Sequence, residues 1–98
     1  MNDKNKVDEI ARLARLLEND LLKLYGPLLS GQSLYQALGY VSKDAFRQSI
    51  VRKTVPVPLF PLKHRRGKYA LTKDVAVYLA SQRFLAVLNI NKGGDDVS

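Results

Sequence analysis

Residues Leu28 to Lys53 read LLSGQSLYQALGYVSKDAFRQSIVRK. Two short helix patterns stand there, each opened by a capping residue. Ser30 has N-cap chemistry, with Leu29 before it and Leu34 spaced as a hydrophobic staple. Leu34, Ala37 and Leu38 form the apolar face of this first short helix. Gly39 suits the left-handed residue that follows a helix end. Ser42 is a second N-cap, with Val41 and Phe46 as its expected staple and Asp44 in the first turn. Phe46 and Ile50, four apart, point inward. Lys43, Arg47 and Gln48 point elsewhere, and Arg52 and Lys53 close the helix. Two short capped helices joined by GYVS have the form of a helix-turn-helix.

Downstream the pattern changes. In TVPVPLFPL, Pro56, Pro58 and Pro61 forbid helix and remove backbone donors, while Val55, Val57 and Leu59 alternate with two of them. This predicts an extended or edge strand. KHRRG then reads as a turn with Gly67 at positive φ. KYAL reads as the returning strand, with Tyr69 and Leu71 on one face. Thr72 is the expected cap of a further helix, with Asp74 in its first turn and Val75, Tyr78, Leu79 and Gln82 along one side. Phe84, Leu85, Val87 and Leu88 carry its apolar content to about residue 88.

Upstream, Val7, Ile10, Ala14, Leu17, Leu21 and Leu24 recur at alternating spacings of three and four. That is a heptad stripe on a helix, widened by Leu13, Leu16 and Leu22 and stopped at Gly26-Pro27. The stripe has two readings: packing within the chain, or a seam with a second copy. The predicted organisation is therefore an amphipathic helix over residues 1–26, a helix-turn-helix with a β-hairpin wing over 27–89, and a frayed tail over 90–98. The fold class is mainly α with one small β-hairpin.

Charge narrows the function. The chain has 98 residues and a formal net charge of +7. Residues 43–73 hold nine of its 16 Lys and Arg (Lys43, Arg47, Arg52, Lys53, Lys63, Arg65, Arg66, Lys68, Lys73) against a single acid, Asp44. The rest holds seven bases and eight acids. Positive charge gathered in one third of the chain points to a polyanionic partner. The bland reading, a solvated basic face, gives no reason for that concentration.

Other classes find little support. There is no cysteine, hence no disulfide, thiolate chemistry or cysteine-based zinc site. His64 is the sole histidine and has no carboxylate or cysteine beside it, so neither catalysis nor a metal site is expected. No glycine-rich phosphate loop opens a helix. As a nuclear targeting signal the short KHRR run is a weak motif, and its place at a hairpin tip favours the wing. The polar start of the chain and the lack of a long apolar run predict a soluble, cytoplasmic protein with no membrane partner. No cofactor and no small-molecule substrate is expected.

A helix-turn-helix followed at once by a basic hairpin is the order of a winged helix. In such a domain the second short helix enters the major groove and the hairpin tip lies on phosphates or the flanking minor groove. On this reading Ser42, Lys43, Asp44, Arg47, Gln48, Arg52 and Lys53 form the recognition helix. Arg47 prefers guanine and Gln48 adenine. Lys63, His64, Arg65, Arg66 and Lys68 form the wing. Tyr40, in the turn, is placed for a phosphate contact, and Tyr69 and Tyr78 for the core. The competing reading is an interaction module whose heptad helix docks a protein and whose basic face binds RNA or acidic protein.

Gly39, Val41 and Ser42, then Pro56 and Pro58, then Lys68, Asp74, Val75, Tyr78 and Leu79 also make a pattern. Over about residues 28–83 it resembles small phage and mobile-element regulators of the excisionase, AlpA-like and pyocin-activator groups, within the MerR-type winged-helix superfamily. Tyr40 departs from their outline by lengthening the turn, and short members lack the N-terminal helix. The resemblance implies a bacterial, sequence-specific, double-stranded DNA-binding protein acting in transcription control or in excision of an integrated element.

Overall fold

The computed structural model describes residues 3–91. It contains α1 (Asp3–Tyr25), β1 (Leu28–Ser30), α2 (Gly31–Ala37), α3 (Lys43–Arg52), β2 (Tyr69–Leu71) and α4 (Thr72–Asn91). No helix among the described residues is long and apolar enough to cross a membrane.

α1 ends where its sequence stops favouring helix. Gly26 takes φ +80°, and its N–H closes the last turn on the Leu22 carbonyl at 2.9 Å. The long helices α1 and α4 run antiparallel. The start of α4 is bonded to Gly26 and Pro27, while Ile10 and Leu13 adjoin Phe84 and Val87 further along. Ala14 and Ala80 are both buried, small enough to let the two helices approach closely. The heptad stripe is thus largely used inside the chain. Ala14 is buried and Ile10, Leu17 and Leu21 are half-buried. Its ends are not covered: Val7 is 61% and Leu24 71% exposed.

The core lies where the short elements meet α4. Leu29, Leu34, Leu38, Phe46, Val57, Ala70 and Val75 form one buried cluster. Leu29, Leu34 and Val75 are almost completely sealed, each burial worth roughly 1.5–3 kcal/mol. The expected staple of α2 is present in these terms, since Leu29 and Leu34 are both in the cluster. Ser30 takes the extended N-cap backbone, though its side chain makes no capping bond.

The small sheet differs from the expected hairpin. β2 pairs antiparallel with β1, with Leu29 opposite Ala70 and Ser30 opposite Tyr69. The proline segment joins β2 only through one bridge, Phe60 to Tyr69. Pro56, Pro58 and Pro61 lack the N–H groups that a longer ladder would need, so a second regular strand does not form. Tyr69 and Leu71 do share one face of β2, as expected, but the residue the strand encloses is Ala70 between them. Ala70 is fully buried, Tyr69 half-buried and Leu71 exposed. Because side chains alternate along a strand, placing Ala70 beside buried Leu29 turns both larger neighbours the other way.

Thr72 is not the cap of α4 but its first residue, and it is completely buried. Its hydroxyl donates to the Gly26 carbonyl at 2.6 Å and its N–H to the Pro27 carbonyl at 2.9 Å. Both bonds tie the end of α1 to the start of α4. Asp74 does lie in the first turn, while Gln82, expected along the packed side, is exposed. α4 continues to Asn91, so the first two residues of the expected tail are helical. Residues 92–98 of that tail lie outside the described residues.

Thr72→Val keeps the shape and removes the hydroxyl. It should destabilise the fold by about 1–3 kcal/mol, because the Gly26 carbonyl loses the donor that the buried Thr72 supplies. In thermal unfolding followed by circular dichroism, each kcal/mol should lower the midpoint by roughly 4–8 °C for a domain of this size. Thr72→Ser should recover most of the loss. An unchanged midpoint for the valine variant contradicts the role given to this bond.

Candidate nucleic-acid interface

α3 is a helix with one committed face. Ser42 caps it as its sequence predicts, the side chain accepting from the Ala45 N–H at 3.1 Å. Phe46 and Ser49 are buried and Ile50 is half-buried. At 3.6 residues per turn this leaves Lys43, Asp44, Arg47, Gln48 and Val51 on the outer side, and all five are exposed.

A polar network ties this helix to the turn before it and to the residue that follows its end. The Tyr40 hydroxyl lies 2.7 Å from Ser49 Oγ, and Ser49 Oγ lies 2.7 Å from Thr54 Oγ1. The Tyr40 ring packs on Phe46 with centroids 5.3 Å apart. Tyr40 is therefore a core residue of the turn, with its hydroxyl engaged inside rather than offered to phosphate. It also displaces the expected staple. The inward place that Val41 was expected to fill is taken by Tyr40, and Val41 is 93% exposed.

The helix ends at Lys53 in the left-handed conformation, φ 60°. The Lys53 N–H donates to Ile50 and the Thr54 N–H to Ser49, which satisfies the last carbonyls. Beyond it Val57 is buried, with Val55 and Leu59 half-buried. The chain then reaches the Phe60–Tyr69 bridge, made by two N–H to carbonyl bonds of 2.9 Å each. The bridge closes a loop over residues 61–68. Gly67 has the positive φ expected of it, 91°, and His64 adds a second at 65°. The Arg65 N–H bonds the Leu62 carbonyl at 3.1 Å, so His64 is the third residue of a tight turn. Lys63, His64, Arg65, Arg66 and Lys68 are all exposed.

This loop lies beside α3. An open cleft of about 610 Å³ runs between α3, the start of α2 and the loop. Lys43 and Arg47 line it from α3, and Arg66 and Lys68 from the loop. Tyr35, Phe46 and Ile50 supply its apolar lining. A smaller groove of about 280 Å³ adjoins the proline segment and brings Lys53 to the other side of Lys68. Five cations from two distant stretches of chain thus border two clefts that share Ile50 and Lys68.

The remaining expected site residues fall into three groups. Ser42 is half-buried and holds Ala45, so it serves the backbone of α3. Asp44, Gln48 and Arg52 are exposed on α3 but outside both clefts. Lys63, His64 and Arg65 occupy the far part of the loop, also outside both clefts. Two surface residues escaped the sequence reading. Val51 is 76% exposed on the outer side of α3. Its spacing of seven from Asp44 and four from Arg47 carried that information. Gln32, near the start of α2, lines the main cleft, and no sequence signal marks it.

Comparison with family models, curated proteins and solved structures found no match to this chain.

Tyr40→Phe should destabilise the fold by about 1 kcal/mol, the ordinary contribution of one hydrogen bond. Ser49→Ala removes the shared centre of the network and leaves the Tyr40 hydroxyl without its partner, while Thr54 keeps its bond to the Ser49 carbonyl, so its effect should be larger, about 1–3 kcal/mol. Urea denaturation of both variants checks the order. A serine variant as stable as the unmodified chain contradicts the network.

Proposed function

We propose that this chain is a sequence-specific double-stranded DNA-binding protein with a winged helix-turn-helix. α2 and α3 are the helix-turn-helix, α3 is the recognition helix, and the loop over residues 61–68 is the wing. The observation that carries this reading is the shared cleft: Lys43 and Arg47 of α3 face Arg66 and Lys68 of the loop across one open surface.

The physical fit is direct. The major groove, about 12 Å wide, admits one α-helix, and the outer side of α3 offers Arg and Gln, side chains that pair with guanine and adenine edges. B-DNA carries one phosphate charge per roughly 1.7 Å of axis, so a helix in the groove is flanked by anions. Cations on a loop beside that helix meet the flanking backbone, and the Phe60–Tyr69 bridge limits how far the loop can stray. Val51 adds an apolar contact of the kind that suits a thymine methyl. The resemblance to small winged-helix regulators of mobile elements points the same way. It extends the proposal to transcription control or the direction of site-specific recombination.

Lys53 and His64 both hold left-handed backbone, where glycine is the least strained residue. Such a position costs an ordinary side chain roughly 1–2 kcal/mol. The helix end and the tight turn set that backbone, and both side chains are exposed where a phosphate backbone can reach them.

The test is binding to duplexes selected from a random pool, measured by fluorescence anisotropy at several salt concentrations. Arg47→Ala should weaken the selected site by about 1–3 kcal/mol and leave random duplex nearly unchanged. Arg66→Ala and Lys68→Ala should weaken both alike, and each should reduce the salt slope by about 1. Equal losses on every sequence from all three variants contradict base reading and favour a general polyanion-binding module.

A further inference from the structure

One exposed side of α1 carries a charge pattern centred on Leu16, and only its first member, Glu9, also borders the groove between α1 and α4, which Arg83 lines too. Glu9, Arg12, Leu16, Asp20 and Lys23 are all exposed, Leu16 by 58%. At 3.6 residues per turn they form one narrow stripe, separate from the Ile10, Ala14, Leu17 and Leu21 side that is buried or half-buried. The stripe reverses its charge about its centre. Four residues before Leu16 stands a base, Arg12, and four after it an acid, Asp20. Seven before stands an acid, Glu9, and seven after a base, Lys23.

We propose that this stripe is a self-association surface on which a second copy of the chain lies antiparallel. The two Leu16 side chains meet at the twofold axis. In that register Arg12 faces Asp20 of the second copy and Glu9 faces its Lys23, and symmetry repeats both pairs. Steps of four and seven residues return to the same face of a helix, as an antiparallel two-helix seam requires. A twofold interface uses one patch twice, so the patch must complement itself, and this one does. A parallel pair in register sets each charge against its own kind, so charge selects the antiparallel form. The surface is not the seam anticipated from the heptad stripe, whose middle is packed within the chain. The proposal does not depend on DNA binding.

The same charges also suit pairing within one helix. Glu9 and Arg12 are three apart, as are Asp20 and Lys23, a spacing that lets side chains meet. Charge reversal separates the two accounts. E9K or K23E alone sets like charges together twice across the interface. Each should raise the dimer dissociation constant on the order of tenfold. The double variant E9K/K23E restores every contact between chains and should return the constant to near its original value. If the charges act only within each helix, the double variant is the worst of the three, with its new lysine beside Arg12 and its new glutamate beside Asp20.

The experiment is sedimentation equilibrium of the full chain and these three variants over a range of concentrations, at low and moderate salt. Circular dichroism confirms that each variant keeps its helices. Expected are a concentration-dependent dimer that loosens with salt, weakening in both single variants, and recovery in the double. A chain that stays at its monomer mass of 11.0 kDa at every concentration overturns the proposal, as does a double variant no tighter than the singles.

Discussion

Everything on the cationic side depends on the position of one three-residue strand. β2 has neighbours along both edges. On one side it pairs with β1, and on the other Tyr69 bridges Phe60. Ala70 at its centre is sealed in the core, and the residue that follows the strand, Thr72, is bonded to Gly26 and Pro27. The strand and the residue after it therefore gather two distant parts of the chain: the junction between α1 and α2, and the end of the proline segment. The loop over 61–68 enters and leaves at the Phe60–Tyr69 bridge, so its cations inherit a fixed root next to α3. A chain of this size has little core to hold a loop in place by burial alone. A few well-placed backbone bonds do it instead.

The sequence and the structure agree where local chemistry decides the outcome. Ser42 caps α3, Gly39 and Gly67 take positive φ, and the two short helices α2 and α3 form on the segments whose patterns announce them. These features depend on one residue and its immediate neighbours. The outward face of α3 was legible for the same reason, because helical periodicity alone sorts Phe46 and Ile50 from Arg47 and Gln48.

Where partners are far apart in sequence, the reading went astray. β1 is only three residues long and its partner strand begins at Tyr69, so no turn signal announces the pair. Tyr69 and Leu71 share a face as local alternation implies, but that Ala70 rather than Tyr69 is the enclosed residue follows from the register with Leu29. Thr72 carries the chemistry of a cap, yet a carbonyl at Gly26 takes its hydroxyl. Tyr40 and Val41 exchange expected roles because a hydroxyl partner for Tyr40 exists at Ser49, and that partner is visible only once α3 is folded. The candidate site shows the same division. The cations were legible as a cluster in sequence. That Arg66 and Lys68 share a cleft with Lys43 and Arg47, while Lys63, His64 and Arg65 do not, follows from the turn at His64 and the bridge at Phe60.

Amide chemical-shift mapping of the labelled chain, titrated with a short DNA duplex, tests the central claim most directly. If α3 and the loop form one DNA-facing surface, the shifts should concentrate at residues 43–53 and 63–68 and move together with a single affinity. Shifts confined to the α1–α4 pair, or two groups saturating independently, contradict a single shared surface.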